Sequence, residues 1–175
     1  MRELHREEGG KLNSLESIYQ YYVKDVYRYL YSLSYDHHTA EDLVQETFYR
    51  AYLYLEDWKN ERIKPWLFRV AHNAYVDYQR KASRSIVKDA VFFARMVDRD
   101  TPEITLLQQE VQREIGRMLA DIPEKQRQAV LLVDFHQFTY QEAADIMGIT
   151  LSHIKITLFR ARQRLREMKR KDGML

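Results

Sequence analysis

"TYQEAADIMGITLSHIKITLFRARQRLR", Thr139 to Arg166, carries two helical patterns divided by one glycine. Thr139 and Glu142 have the spacing of a capping box, which starts a helix at Tyr140. Ala143 and Ala144 give that helix a small-residue side where a second helix can approach closely. Gly148 can take positive φ at almost no steric cost and end the helix. Ile149 then packs back, and Ser152 is the expected cap near the start of the next helix. In that helix Ile154, Leu158, Ala161 and Leu165 form an apolar stripe. Its other faces carry Ser152, His153, Lys155, Ile156, Thr157, Phe159, Arg160, Arg162 and Gln163. Ala144, Gly148 and Ile154 stand where a helix-turn-helix needs a small residue, a turn and a buried anchor. The second helix of that motif enters the major groove of DNA, and trailing arginines and lysines neutralise phosphates. Capping, small-residue placement and a cationic second helix together favour nucleic-acid binding over an ordinary helical hairpin.

The rest of the chain fits an all-α reading. Its 175 residues are 45% hydrophobic and 31% charged, which excludes a disordered composition. Five glycines and three prolines leave little punctuation for the turns of a β-rich fold. The absence of cysteine excludes disulfides and thiolate metal sites. No apolar run approaches the ~18 residues of a membrane span, and the polar start "MRELHREEGGKLNS" lacks a secretory core. A soluble intracellular protein is expected.

Formal net charge is only +2, but the charge is segregated. Asp36, Glu41, Asp42, Glu46, Glu56 and Asp57 face Arg50 alone between 36 and 57. Lys155, Arg160, Arg162, Arg164, Arg166, Lys169, Arg170 and Lys171 face Glu167 alone between 155 and 171. Such a chain can offer an acidic surface to one partner and a basic one to a polyanion.

Ile18, Tyr22, Val26, Tyr29, Leu30 and Leu33 recur at helical spacing. After the polar break "SYDHHT", Thr39 is the expected cap of a second helix with Leu43, Phe48, Ala51, Tyr52 and Leu55 on its apolar side. "EDWKNERIK" reads as a loop, and Pro65 suits the first turn of a third helix that runs to about Arg80. "KASRSIVKDAVFFARMVDRDTP" is long for a loop and reads as a connection that holds a short helix or a docking segment. Helical periodicity resumes near Glu103 and stops at Asp121-Ile122-Pro123. One further helix is expected from about Glu124 to Phe135.

"AEDLVQETFYRAY" (40–52), "KPWLFRVAHNAYVDYQRK" (64–81) and "DIPEKQRQAVLLVDFHQFTYQEAADIMGI" (121–149), followed by the arginine-rich helix, closely resemble the extracytoplasmic-function group of bacterial RNA polymerase sigma factors. The resemblance implies two small helical domains joined by a linker: a flexible N-terminus (1–13), region two (14–84), a linker (85–105) and region four (106–170). It implies a cytoplasmic, non-enzymatic protein that lends core RNA polymerase its promoter specificity, without cofactor, metal or small-molecule substrate. By resemblance, Asp42, Gln45 and Glu46 dock on the clamp helices of the polymerase's largest subunit. Their i, i+3, i+4 spacing places them on one face, as a docking stripe for arginines requires. Region four would meet the flap of the second-largest subunit.

Trp58 and Asn73 match positions that line a pocket for a base leaving the stack at the minus-ten element. Arg69, Arg80, Lys81 and Arg84 are candidate phosphate contacts there, whereas Trp66 beside Leu67 and Val70 belongs to the core. In the last helix the family's base-reading positions fall on Lys155, Ile156 and Phe159. Arg160 and Arg162 fall at backbone-contacting positions, and Ser152 and His153 where the helix meets phosphate. Ile156-Thr157 and Ser152-His153 depart from the residues usual at these positions, so the resemblance does not supply the minus-thirty-five sequence. It also implies an anti-sigma factor, in many cases membrane-anchored, and a stress or envelope regulon. The tyrosine-rich first helix and the apolar linker patch could serve that interface or pack internally.

Two other classes are open to the residues alone. A stand-alone helix-turn-helix regulator would leave the acidic helix and the Trp58 loop unexplained. A metal protein could be pictured on His37, His38 and Glu41, but adjacent histidines diverge on a helix. No phosphate loop or nucleophile elbow stands out.

Overall fold

A computed structural model describes residues 14–54, 62–82, 113 and 116–173, and among these no strand occurs. The chain divides into two compact units, Met1–Ser85 and Ile86–Leu175.

In the first unit α1 (Leu15–Ser34), α2 (His37–Leu53) and α3 (Ile63–Ala82) pack pairwise. Ser14 caps α1 by accepting the Ser17 amide proton at 3.2 Å. The expected stripe Ile18, Tyr22, Val26, Tyr29, Leu30 and Leu33 is its buried face. Each Leu or Ile so buried contributes about 1.5–3 kcal/mol. α1 ends at Tyr35 in the left-handed conformation (φ 55).

α2 then begins earlier than its expected cap. Asp36 is the N-cap, and its carboxylate accepts from both the amide (3.0 Å) and the hydroxyl (2.7 Å) of Thr39. Thr39 therefore sits inside the first turn as the capped partner. The helix already begins at His37 under the Asp36 cap, so Thr39 is its third residue and the one whose amide is capped.

α3 starts two residues before Pro65, which stays in the first turn, where its missing N–H leaves no helical hydrogen bond unmade. Trp66, Leu67, Phe68, Ala71, Ala74 and Tyr75 are buried along it, so Trp66 is a core residue. Two polar ties cross this core. The Tyr29 hydroxyl and His72 Nδ1 lie 3.1 Å apart, and the Tyr75 hydroxyl donates to the Leu33 carbonyl at 3.3 Å. A buried pair of this kind fixes register between helices that apolar contact alone would let slide.

In the second unit residues 116–120 are helical, and Leu119 and Ile122 are buried. Pro123 precedes α4 (Glu124–Val130). The single helix expected to Phe135 changes type instead: Leu131–Phe135 is one π turn. Its signature is the His136 amide bonded to the Leu131 carbonyl, five residues back, at 2.9 Å. The wider turn keeps Leu131 and Leu132 in the core. Gln137, with φ 61, redirects the chain, and its side-chain amide donates to the Asp134 carbonyl at 2.8 Å. Phe138 then enters the core. α5 (Tyr140–Met147) and α6 (Leu151–Lys171) follow, and α4 and α5 both pack on α6.

Candidate nucleic-acid interface and acidic face

Local chemistry builds the α5–α6 corner as the sequence implies. The Thr139 hydroxyl accepts the Glu142 amide proton at 3.1 Å, and the Glu142 carboxylate accepts that of Thr139 at 2.9 Å. Gly148 has φ 65 and closes α5. Its amide donates to the Asp145 carbonyl (3.3 Å), and the Ile149 amide donates to that of Ala144 (3.0 Å). These crossed bonds satisfy carbonyls that the helix end would otherwise orphan. Ala143, Ala144 and Ile154 are fully buried where α5 meets α6. The motif is a helix-turn-helix.

Two details of α6 differ from expectation. Its cap is Thr150, which accepts the His153 amide proton at 3.2 Å, so Ser152 lies within the first turn and is exposed. Thr157, assigned to the outer faces, is buried with Ile154, Leu158 and Ala161. It sits three residues after Ile154 and one before Leu158, so helical spacing carries it inward despite its hydroxyl. Leu165 is half-buried at the end of the stripe.

Ser152, His153, Lys155, Ile156, Phe159 and Arg160 are all exposed on α6. Arg162 is not a free cation. Its Nη2 and Nε donate to the two oxygens of Asp134 at 2.6 and 3.3 Å, and Nη1 donates to the Tyr140 hydroxyl at 3.2 Å. Asp134 and Tyr140 hold its pKa well above the ordinary guanidinium value, so it stays charged at any pH the fold survives. The π turn supplies Asp134 and α5 supplies Tyr140, so Arg162 clamps α6 to both. With Arg162 and Asp134 each more than a third exposed, the clamp contributes about 1 kcal/mol at most.

In the first unit Asp42 and Gln45 are exposed on α2, and Glu46 is half-exposed beside them. Arg50 bridges Glu46 (Nε to Oε1, 2.6 Å) and Asp77 of α3 (Nη1 to Oδ2, 2.8 Å). Burial opposes its charge, but bonds to Glu46 and Asp77 outweigh that and raise its pKa. Glu46 is thus partly neutralised, whereas among the described residues Asp42 has no intramolecular partner. On α3, Arg69, Asn73 and Arg80 recur at spacings of four and seven and share one face; Asn73, Arg80 and Lys81 are exposed. Trp58 and Arg84 lie outside the described residues, as does the apolar linker patch AVFFARMV of 90–97. The sequence pattern gave no sign of the Asp134–Arg162 or Arg50–Asp77 pairs, because each joins residues 28 or 27 positions apart.

No group of histidines and carboxylates fit to hold a metal occurs among the described residues, and His37 instead pairs with Glu41 at 3.0 Å. Nor is any described helix long and apolar enough to cross a membrane.

Residues 18–85 match the family described as Sigma-70 region 2, and residues 112–165 match Sigma-70, region 4. The ECF RNA polymerase sigma factor SigM of Bacillus subtilis is 37% identical over 155 residues, 89% of this chain and 94% of that protein. The chain belongs to the ECF sigma factors. The RNA polymerase sigma factor YlaC of Bacillus subtilis is 27% identical over 160 residues, covering 89% of this sigma factor and 91% of that one. Among solved structures, the sigma factor RpoE of Bartonella quintana, crystallised with the anti-sigma factor NepR, superposes with a TM-score of 0.73. It is 26% identical, with 87% of this chain and 94% of that chain covered. As a sigma factor the protein is a non-enzymatic transcription initiation factor that binds core RNA polymerase and promoter DNA, and its two matched regions form helices and no strand where described.

Proposed function

We propose that this sigma factor grips core polymerase through the exposed face of α2 and reads promoter DNA through α6 and α3. The observation that carries the reading is the helix-turn-helix whose second helix exposes Ser152, His153, Lys155, Ile156, Phe159 and Arg160 along a cationic surface. Asp42, Gln45 and Glu46 supply the docking stripe for the clamp helices of the largest subunit, and region four meets the flap of the second-largest. Asn73 and Trp58 hold the extruded minus-ten base, and Arg69, Arg80, Lys81 and Arg84 contact phosphates. Arg162 acts through the clamp it forms with Asp134. Domain limits of 14–84 and 106–170 fit these roles. The structure of RpoE with NepR supports an anti-sigma partner for this chain too, with the sigma factor held in the bacterial cytoplasm, at a membrane-anchored partner where that partner is anchored. A stress or envelope regulon completes the reading.

In vitro transcription with core polymerase tests it. The expected result is promoter-dependent output with protection of DNA upstream of the start site. Output without such a footprint would exclude the reading. Asp42, Gln45 and Glu46 replaced together by alanine should weaken polymerase association by more than about tenfold, while amide spectra of the second unit stay unchanged. Undiminished association would move the docking face elsewhere.

A further inference from the structure

On α6 two large apolar side chains face solvent: Ile156 is 51% and Phe159 65% exposed. At a spacing of three they share a helix face, and Ser152 and Gln163, each one turn further along, extend it. The middle of the outer surface of α6 is therefore an uncharged stripe. Exposed cations border it on both sides, Lys155 and Arg166 on one and Arg160 and Arg164 on the other. That arrangement is complementary to a major groove, whose base edges run between two phosphate rails. A helix laid in the groove meets bases along its centre and phosphates along its flanks.

The base edges narrow what Ile156 and Phe159 can read. Neither side chain can hydrogen-bond, so either one set against the polar edge of guanine, cytosine or adenine would strip that edge of water without replacing its bonds. The one apolar group in the major groove is the C5-methyl of thymine. We propose that Ile156 and Phe159 each pack against a thymine methyl in the minus-thirty-five element, and that these two thymines are specificity determinants of this sigma factor. The inference rests on the reading that α6 enters the groove, and it adds the chemistry of the bases that α6 selects.

The test uses polymerase holoenzyme assembled with the full chain. Bound duplexes are selected from a library randomised upstream of the start site, and the common element is rebuilt with deoxyuridine replacing thymidine one position at a time. Deoxyuridine removes the methyl and keeps every hydrogen-bonding group. Two positions should each lose about fourfold in affinity, the effect of one buried methyl-sized group. Ile156→Ala should abolish the loss at one of them and Phe159→Ala at the other, with helicity unchanged because both side chains lie outside the core. Uridine duplexes that bind as well as thymidine ones would overturn the proposal, as would alanine variants with the full methyl dependence. A selection that yields no upstream element would overturn the groove-binding reading itself, and the inference with it.

Discussion

Gly148 shows how one residue decides the geometry of the DNA-reading corner. Its φ of 65 lies where a Cβ is unfavourable in any surroundings, and a Cβ added there meets nothing within 4 Å. The cost of Gly148→Ala is therefore backbone conformation alone, about 1–2 kcal/mol. Amide exchange in α5 and α6 should accelerate about five- to thirtyfold as a result, from the relation of about 1.4 kcal/mol per factor of ten. Gly148→Asn should recover part of the loss, since asparagine tolerates the left-handed region. Equal exchange in wild type and Gly148→Ala would mean that the turn can be closed another way. Gly148, Thr139 and Glu142 were legible in the sequence because their chemistry is local and each residue type has few other uses. The caps at Asp36 and Thr150 were not, because two capping residues stand within three positions of each other at both places. Only the side-chain geometry decides between them.

At the level of elements, apolar periodicity located α1, α2, α3 and α6, since a buried face leaves its period in the sequence, whereas α5 was marked by its capping box and Gly148. It missed the π turn, because Leu131 to Phe135 carries the same apolar pattern whether the carbonyl is shared four or five residues on. The pairing of α2 with α3 was equally invisible, and it changes the expected ranking within the docking stripe. Arg50 already neutralises part of Glu46 and ties it to Asp77, whereas Asp42 stands unpaired among the described residues. A polymerase arginine that approaches Glu46 must compete with Arg50; one that approaches Asp42 competes only with water. Asp42→Asn should thus weaken polymerase association about tenfold, the loss of a charge-assisted hydrogen bond of about 1.5 kcal/mol. Glu46→Gln should cost distinctly less. Titration of fluorescently labelled sigma factor with core polymerase measures both, and the reverse order would show that Arg50 releases Glu46 on docking.

Over the whole molecule a net charge of +2 conceals an acidic stretch in one unit and a basic one in the other. That segregation could be read from the chain, but which of the basic residues remain available to phosphate could not. Each cation that meets a phosphate on duplex DNA makes the plot of log affinity against log salt steeper by about 0.9. Arg160 and Arg164 are exposed on α6, whereas Arg162 is held by both oxygens of Asp134 and by Tyr140. Arg160→Met and Arg164→Met should each make the slope shallower by about 0.9 while unfolding of the second unit is unaffected. Arg162→Met should do the opposite, leaving the slope where it was and lowering the stability of the second unit by up to about 1 kcal/mol. Asp134→Asn should resemble Arg162→Met in stability, yet it frees the guanidinium and so should steepen the slope. Filter binding of promoter duplexes by the holoenzyme over a salt series reads the first quantity, and amide exchange reads the second. If Arg162→Met flattens the salt series as Arg160→Met does, the clamp opens on DNA and Arg162 belongs among the phosphate contacts after all.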